Sequence, residues 1–157
     1  PVIADLDELY PGVEGLIEKI DYLIVSRDFP CRLMKEADLE TALRGMQVRY
    51  GCRVTAATLG EGGVLAWDGE QFYYNPAYRV PVVDTTGAGD TFHAGFIYGM
   101  LQGWTLERQL DFACAAAALN CTAVGARGGL RTVETIEDLM ATGTRYEPVF
   151  LCGTRVE

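Results

Sequence analysis

Apolar residues in this chain fall in short runs separated by segments with helical spacing. Residues 2–6, 22–25 and 53–58 are compact apolar runs bounded by polar or glycine positions, which predicts short buried strands. Residues 12–20 and 38–50 read as helices between them. In the second, Leu39, Ala42, Leu43 and Met46 share a face and Gly51 supplies the stop. Residues 64–67 and 71–74 predict a strand pair that turns at Asp68-Gly69. The stretch Tyr78-Arg79-Val80-Pro81-Val82-Val83 is β-rich and broken by proline. Three helices are then expected. The first opens near Asp90, with Phe92, Phe96, Ile97 and Met100 recurring at helical spacing. The second covers 106–121, favoured by the alanine run 115–118, and the third covers 134–140 ahead of an irregular tail beyond Gly143. Strands alternating with helices predict an α/β fold with a mainly parallel sheet covered on both sides. No repeat, low-complexity segment or linker interrupts the pattern, so the 157 residues are expected to form a single domain.

Composition narrows the function classes. A hydrophobic content of 49% and aromatic content of 10% belong to a globular fold. The net charge of −9 argues against nucleic acid as a partner, because no basic stripe is present to meet a phosphate backbone. No apolar run approaches the roughly 20 residues that span a bilayer, and no charged-then-apolar leader precedes Ala4, so no membrane association is expected. Gly95 and Gly99 form a G-x-x-x-G pattern that reads as soluble helix packing. The five cysteines, at 31, 52, 114, 121 and 152, are odd in number and lack paired spacing, and there is a single histidine. Reduced thiols in a cytoplasmic protein, without a zinc constellation, are the simplest reading.

The candidate chemistry centres on Asp84-Thr85-Thr86-Gly87-Ala88-Gly89-Asp90. This heptapeptide stands at a helix entry, where free backbone N–H groups and the helix dipole favour an anion. Its glycines let those amides approach a phosphate oxygen closely. A carboxylate at that place, Asp90, suits a proton acceptor in phosphoryl transfer, with the Gly87, Ala88, Gly89 and Asp90 amides as the anion hole. Helix capping by Asp84, Thr85 or Thr86, with Asp90 favouring the positive helix end, accounts for the same residues. A second glycine-containing loop, Thr58-Leu59-Gly60-Glu61-Gly62-Gly63, follows a buried strand, and a plain strand-turn-strand also explains it. Arg27, Arg79, Arg127 and Arg131 are available to offset negative charge locally, or to serve as solvated surface residues. His93, three residues after Asp90, can share its helix face or act as a structural histidine.

The motif DTTGAGDTF resembles the signature of the ribokinase-like (PfkB) carbohydrate kinases, and the similarity extends through most of the chain. The resemblance implies a ribokinase-like α/β fold and ATP-dependent phosphorylation of a sugar hydroxyl, with Asp90 as general base. It implies that Thr58, Leu59, Gly60, Glu61, Gly62 and Gly63 form a nucleotide-phosphate loop. Cys114 would stand where relatives contact the base. The loop 122–129 would resemble the second nucleotide-side loop. Its backbone oxygens at Asn120, Ala123, Gly125 and Gly129 would join the Asp84 carboxylate and the Thr86 carbonyl around a monovalent cation, usually potassium. One departure stands out. Relatives often carry Asn-x-x-Glu after a central strand, whereas this chain has Ser26-Arg27-Asp28-Phe29. Ser26 takes the asparagine place, Phe29 takes the glutamate place, and Asp28 is left to act on Mg²⁺ through water or to cap a helix.

The resemblance also implies a missing portion. Relatives are about twice as long, and their first half supplies sugar-binding residues and a β-sheet lid. The chain therefore reads as the C-terminal, nucleotide-binding half of such a kinase. An exposed sheet edge favours association, either as a homo-oligomer or with the absent N-terminal half. The alternative is a nucleotide-binding or interaction module without kinase activity. The sugar itself is not specified by these residues.

Overall fold

The computed structural model describes residues 1–148, and Cys152 lies outside them. The described residues divide into two compact units, one of residues 1–60 and 64–74, the other of residues 61–63 and 75–148.

The first unit carries a five-stranded sheet in the order β1-β2-β3-β4-β5. The strands are β1 (Ile3–Leu6), β2 (Tyr22–Ser26), β3 (Val54–Thr58), β4 (Val64–Trp67) and β5 (Phe72–Asn75). β1 runs parallel to β2 and β2 parallel to β3, while β4 returns antiparallel to β3 with Thr58 opposite Val64. The mainly parallel, helix-flanked sheet agrees with the expectation from sequence. The parallel pairs are joined through α1 (Val13–Ile17), and through α2 (Phe29–Met34) and α3 (Leu39–Tyr50). β4 instead meets β5 through a short turn in which the Asp68 carboxylate accepts from the amides of Glu70 and Gln71, both at 2.8 Å.

Alternation along the strands divides the core. Leu23 and Val25 pack with Val13, Ile17, Phe29 and Met46 in one cluster. Leu43, Ala57, Leu65 and Trp67 form another. α3 begins where the Asp38 carboxylate accepts from the Thr41 amide at 2.8 Å, and it ends at Gly51 in the left-handed region, φ 75°. The Gly51 stop matches the pattern read from sequence, and the start lies one residue after the expected 38, with Asp38 as the cap.

One expectation needs correction, and one element is additional. The helix expected over 12–20 is only Val13–Ile17, because Gly12 enters at φ 89° and the segment closes with 3₁₀-type bonds from Lys19 to Leu16 and from Ile20 to Ile17. α2 is absent from the sequence reading. It is a single short helix with Pro30 at its start and a fully buried Phe29, too brief to establish a period. Asp28 occupies its N-cap, yet its side chain makes no capping bond. The β-rich stretch 78–83 forms no strand, in line with the expected order of elements, and Tyr78 makes an isolated bridge with Arg145.

The second unit is built on α4 (Ala88–Leu101), α5 (Leu106–Asn120) and α6 (Val133–Thr142). α4 and α5 approach closely through glycine: a Cβ on Gly95 would lie 3.0 Å from Cα of Ala113. Gly99 likewise faces Trp104 and Gln109, so the G-x-x-x-G pattern serves helix packing. Thr105 and Thr132 cap α5 and α6 with their hydroxyls. No helix among the described residues is long and apolar enough to cross a membrane.

Candidate active site

α4 starts without a side-chain cap. Its N-cap is Gly87 at φ 76°, and the Asp84, Thr85 and Thr86 side chains that could have capped it do not. The reason is visible in the preceding turn. Asp84 is committed elsewhere: one carboxylate oxygen accepts from the Thr86 amide at 2.9 Å, the other from the Gly125 amide at 2.8 Å. These bonds, Gly125 first and Thr86 next, hold the Asp84 carboxyl below its ordinary pKa, so it is an anion.

Of the first amides of α4, Ala88 donates to the Thr85 carbonyl at 3.1 Å and Thr91 returns to Gly87 at 2.9 Å. Among the described residues, the amides of Gly87, Gly89 and Asp90 meet no acceptor. They are the donors a helix start offers to an external anion. Asp90 lies in the first turn and is exposed. One turn further, Nδ1 of His93 is 2.9 Å from the Gly89 carbonyl, which assigns the ring proton to Nδ1.

The loop after α5 closes on this turn. A Cβ on Gly87 would stand 2.4 Å from the Ala126 carbonyl oxygen, so only glycine permits the approach. The Cys121 carbonyl accepts from both Val83 and Asp84, at 2.8 and 3.2 Å. Asn120, fully buried at the end of α5, donates through Nδ2 to the Thr86 carbonyl at 3.1 Å. Its Oδ1 is buried without a hydrogen-bond partner. Gly129 packs on the same helix end, where a Cβ would lie 2.3 Å from the Asn120 carbonyl oxygen. Arg131 stiffens the loop through the Gly128 and Leu130 carbonyls, at 3.3 and 3.0 Å.

The structure thus gathers Asp84, Thr86, Gly87, Asn120, Gly125 and Gly129 around one turn, with Ala88, Gly89 and Asp90 continuing from it into α4. Ala123 belongs to the same loop. Cys114 lies further back along α5, buried, with Sγ 3.9 Å from the Asn75 carbonyl, and burial followed by the charge of Asp111 pushes its thiol up to about 12. Gly63 packs against that same segment, where a Cβ would lie 1.9 Å from the Asn75 oxygen, so its φ of 84° reserves the place for glycine. In the first unit, Thr58 donates its hydroxyl to the Val25 carbonyl at 3.3 Å and Ser26 donates to the Asp7 carbonyl at 3.4 Å. Leu59 is buried, its carbonyl held by Arg27 at 2.6 Å, and Gly60–Gly62, with Glu61 between, makes a 3₁₀ turn. The Asn120 side chain and the Ala126 carbonyl escaped the sequence reading. A lone asparagine ending an alanine-rich helix carries no pattern that announces them.

Known proteins share this arrangement of elements. The profile described as pfkB family carbohydrate kinase matches residues 2–133. A ribokinase of Bacillus subtilis (strain 168) is 40% identical over 141 residues, which is 90% of this chain and 46% of the relative. The crystal structure of Arabidopsis thaliana ribokinase complexed with ribose and ATP superposes with a TM-score of 0.79 at 28% identity, over 90% of this chain and 48% of that one. A putative ribokinase II from E. coli in complex with ATP and Mg²⁺ gives 0.77 at 26% identity, over 82% of this chain and 42% of that one. The chain spans 39–46% of the length of the curated relatives it matches first.

Proposed function

This chain belongs to the pfkB family of carbohydrate kinases, and on that premise we propose that it carries the catalytic side of an ATP-dependent sugar kinase. The observation that carries the reading is the uncapped start of α4, with unaccepted amides at Gly87, Gly89 and Asp90 and a carboxylate in the same turn. Such a helix start favours an anion, and a carboxylate beside an anion suits a group that takes up a proton during reaction.

In the proposed step, Asp90 accepts the proton of the sugar hydroxyl as its oxygen bonds to the γ-phosphorus of ATP. The bond from that phosphorus to the β–γ bridging oxygen breaks, and ADP leaves. The Gly87, Gly89 and Asp90 amides stabilise charge on the transferring group. Magnesium is proposed as an ion carried with the nucleotide, because Mg²⁺ keeps several waters and binds largely through substrate phosphates. When bound it supplies charge neutralisation of the phosphates. Thr58, Leu59, Gly60, Glu61, Gly62 and Gly63 are proposed for the nucleotide phosphates and Cys114 for the base, on the resemblance. Ser26 is assigned to the nucleotide side on the same ground.

A monovalent cation also fits. The Asp84 carboxylate is anionic, and the buried Asn120 Oδ1 accepts no hydrogen bond, which suits a nearby positive charge. Asp84, Thr86, Asn120, Ala123, Gly125 and Gly129 are the residues proposed to hold it. The cation would add positive charge at the root of α4.

Calorimetry of the full-length protein with MgADP, paired with phosphoryl transfer from ATP to a panel of sugars, tests the reading. Nucleotide binding and transfer to at least one sugar are expected. Absence of nucleotide binding at millimolar concentration overturns it, and binding without transfer to any sugar favours a nucleotide-binding module.

A further inference from the structure

We infer that the side chain of Asn120 is a positioning residue that sets the orientation of the Thr86–Gly87 peptide and so aims the Gly87 amide at the transferring phosphoryl group. The inference rests on the proposed kinase reading.

The geometry begins with the peptide plane. The carbonyl of Thr86 and the N–H of Gly87 belong to one planar trans unit, so they point in opposite directions. Asn120 Nδ2 donates to that carbonyl at 3.1 Å from a residue with no exposed surface. Holding the carbonyl toward the buried end of α5 necessarily turns the Gly87 N–H away from α5. That amide is one of those without an acceptor at the start of α4.

Among the described residues no other hydrogen bond holds this peptide unit. The Asp84 carboxylate holds the Thr86 amide, which belongs to the preceding peptide unit. Gly87 stands in the left-handed region, where glycine tolerates alternative conformations readily. Rotation of the Thr86–Gly87 unit would keep the Asp84 bond and lose the Gly87 donor. The Asn120 bond is the tether on the peptide that matters. Its amide is fixed in the donor sense, because the reverse orientation would set two carbonyl oxygens against each other. Oδ1 then takes no protein donor, in keeping with its buried, unpartnered state.

The test compares Asn120→Ala and Asn120→Leu with the unmodified full-length enzyme. Three quantities are read: kcat, the affinity for MgADP, and the affinity for MgADP with aluminium fluoride and sugar, a mimic of the transferring phosphoryl group. Loss of one oxyanion donor predicts a fall of about 10²-fold in kcat and in affinity for the mimic. MgADP affinity should stay within about threefold. Asn120→Leu keeps the branched shape and removes the donor at every pH, so it reports even where Asn120→Ala does not fold. Unchanged kcat and mimic affinity in Asn120→Leu overturn the inference, as does an equal loss of MgADP and mimic affinity. A wild-type enzyme that binds no nucleotide overturns the kinase reading instead.

Discussion

Gly87 and Ala126 are in backbone contact: any Cβ at Gly87 would stand 2.4 Å from the Ala126 carbonyl oxygen and 2.8 Å from its Cα. The loop that follows α5 therefore rests directly on the turn that starts α4. Gly87 is also left-handed, at φ 76°. Gly87→Ala should lose about 1–2 kcal/mol from conformation alone, with the clash adding to it. The urea midpoint should fall, and activity should fall further than stability. An unchanged midpoint together with unchanged kcat would contradict the close approach.

Asp84 should leave a mark on acid stability. Its carboxyl is depressed by the Gly125 amide and then by the Thr86 amide. A depressed folded-state pKa adds stability that is fully present above the unfolded value, 3.8, and is lost as the pH falls through the folded value. Urea midpoints of wild type and Asp84→Asn should differ near neutral pH and converge below about pH 4. A difference that stays constant down to about pH 2 would remove this role.

Arg145 links the end of the described chain to α5. Its guanidinium bonds the Asp111 carboxylate and the Tyr78 hydroxyl, both at 2.5 Å, and the Pro76 carbonyl at 2.9 Å. Backbone bonds from Arg79 to Thr144 and from Tyr146 to Ala77 flank it. Burial, then the Asp111 hydrogen bond, raises the Tyr78 hydroxyl pKa, so the phenol stays neutral and the ion pair is Arg145 with Asp111. Arg145→Ala should cost about 2 kcal/mol, since it strips the cation from a partly buried carboxylate. Chemical denaturation measures it. A loss below about 0.5 kcal/mol would place the contact among ordinary surface pairs.

These contacts show where sequence reading succeeds. α3 was legible because its apolar face and its Gly51 stop are local signals. The entry of α4 was legible for the same reason, since glycines between two aspartates require a special turn. The hairpin at Asp68-Gly69 was legible from its turn residues. Long-range contacts left no such trace. Tyr78 and Arg145 are 67 residues apart, so the strand-like 78–83 stretch and an irregular tail gave no hint of their pairing. Asn120 was expected to act through its main-chain oxygen, and its side chain reaches Thr86 across 34 residues. α2 was missed because a six-residue helix is shorter than the window in which period can be read.

Cys114 should be chemically inert in the folded protein. It is buried, and its thiol is pushed up to about 12 by desolvation and then by Asp111. Thiolate is the reacting species, so iodoacetamide near neutral pH should not label Cys114 until the protein unfolds. Mass mapping of labelled peptides checks this. Fast native labelling at Cys114 would contradict the packing of α5.

The central claim is that Asp90 removes the proton from the attacking hydroxyl, and Asp90→Asn in the full-length enzyme tests it most directly. The substitution keeps size and removes the proton acceptor, while the backbone amides at the start of α4 stay in place. The account predicts a fall in kcat of about 10²–10⁴-fold with nearly unchanged MgADP affinity. A variant that folds, binds MgADP normally and keeps more than about a tenth of wild-type kcat would contradict it.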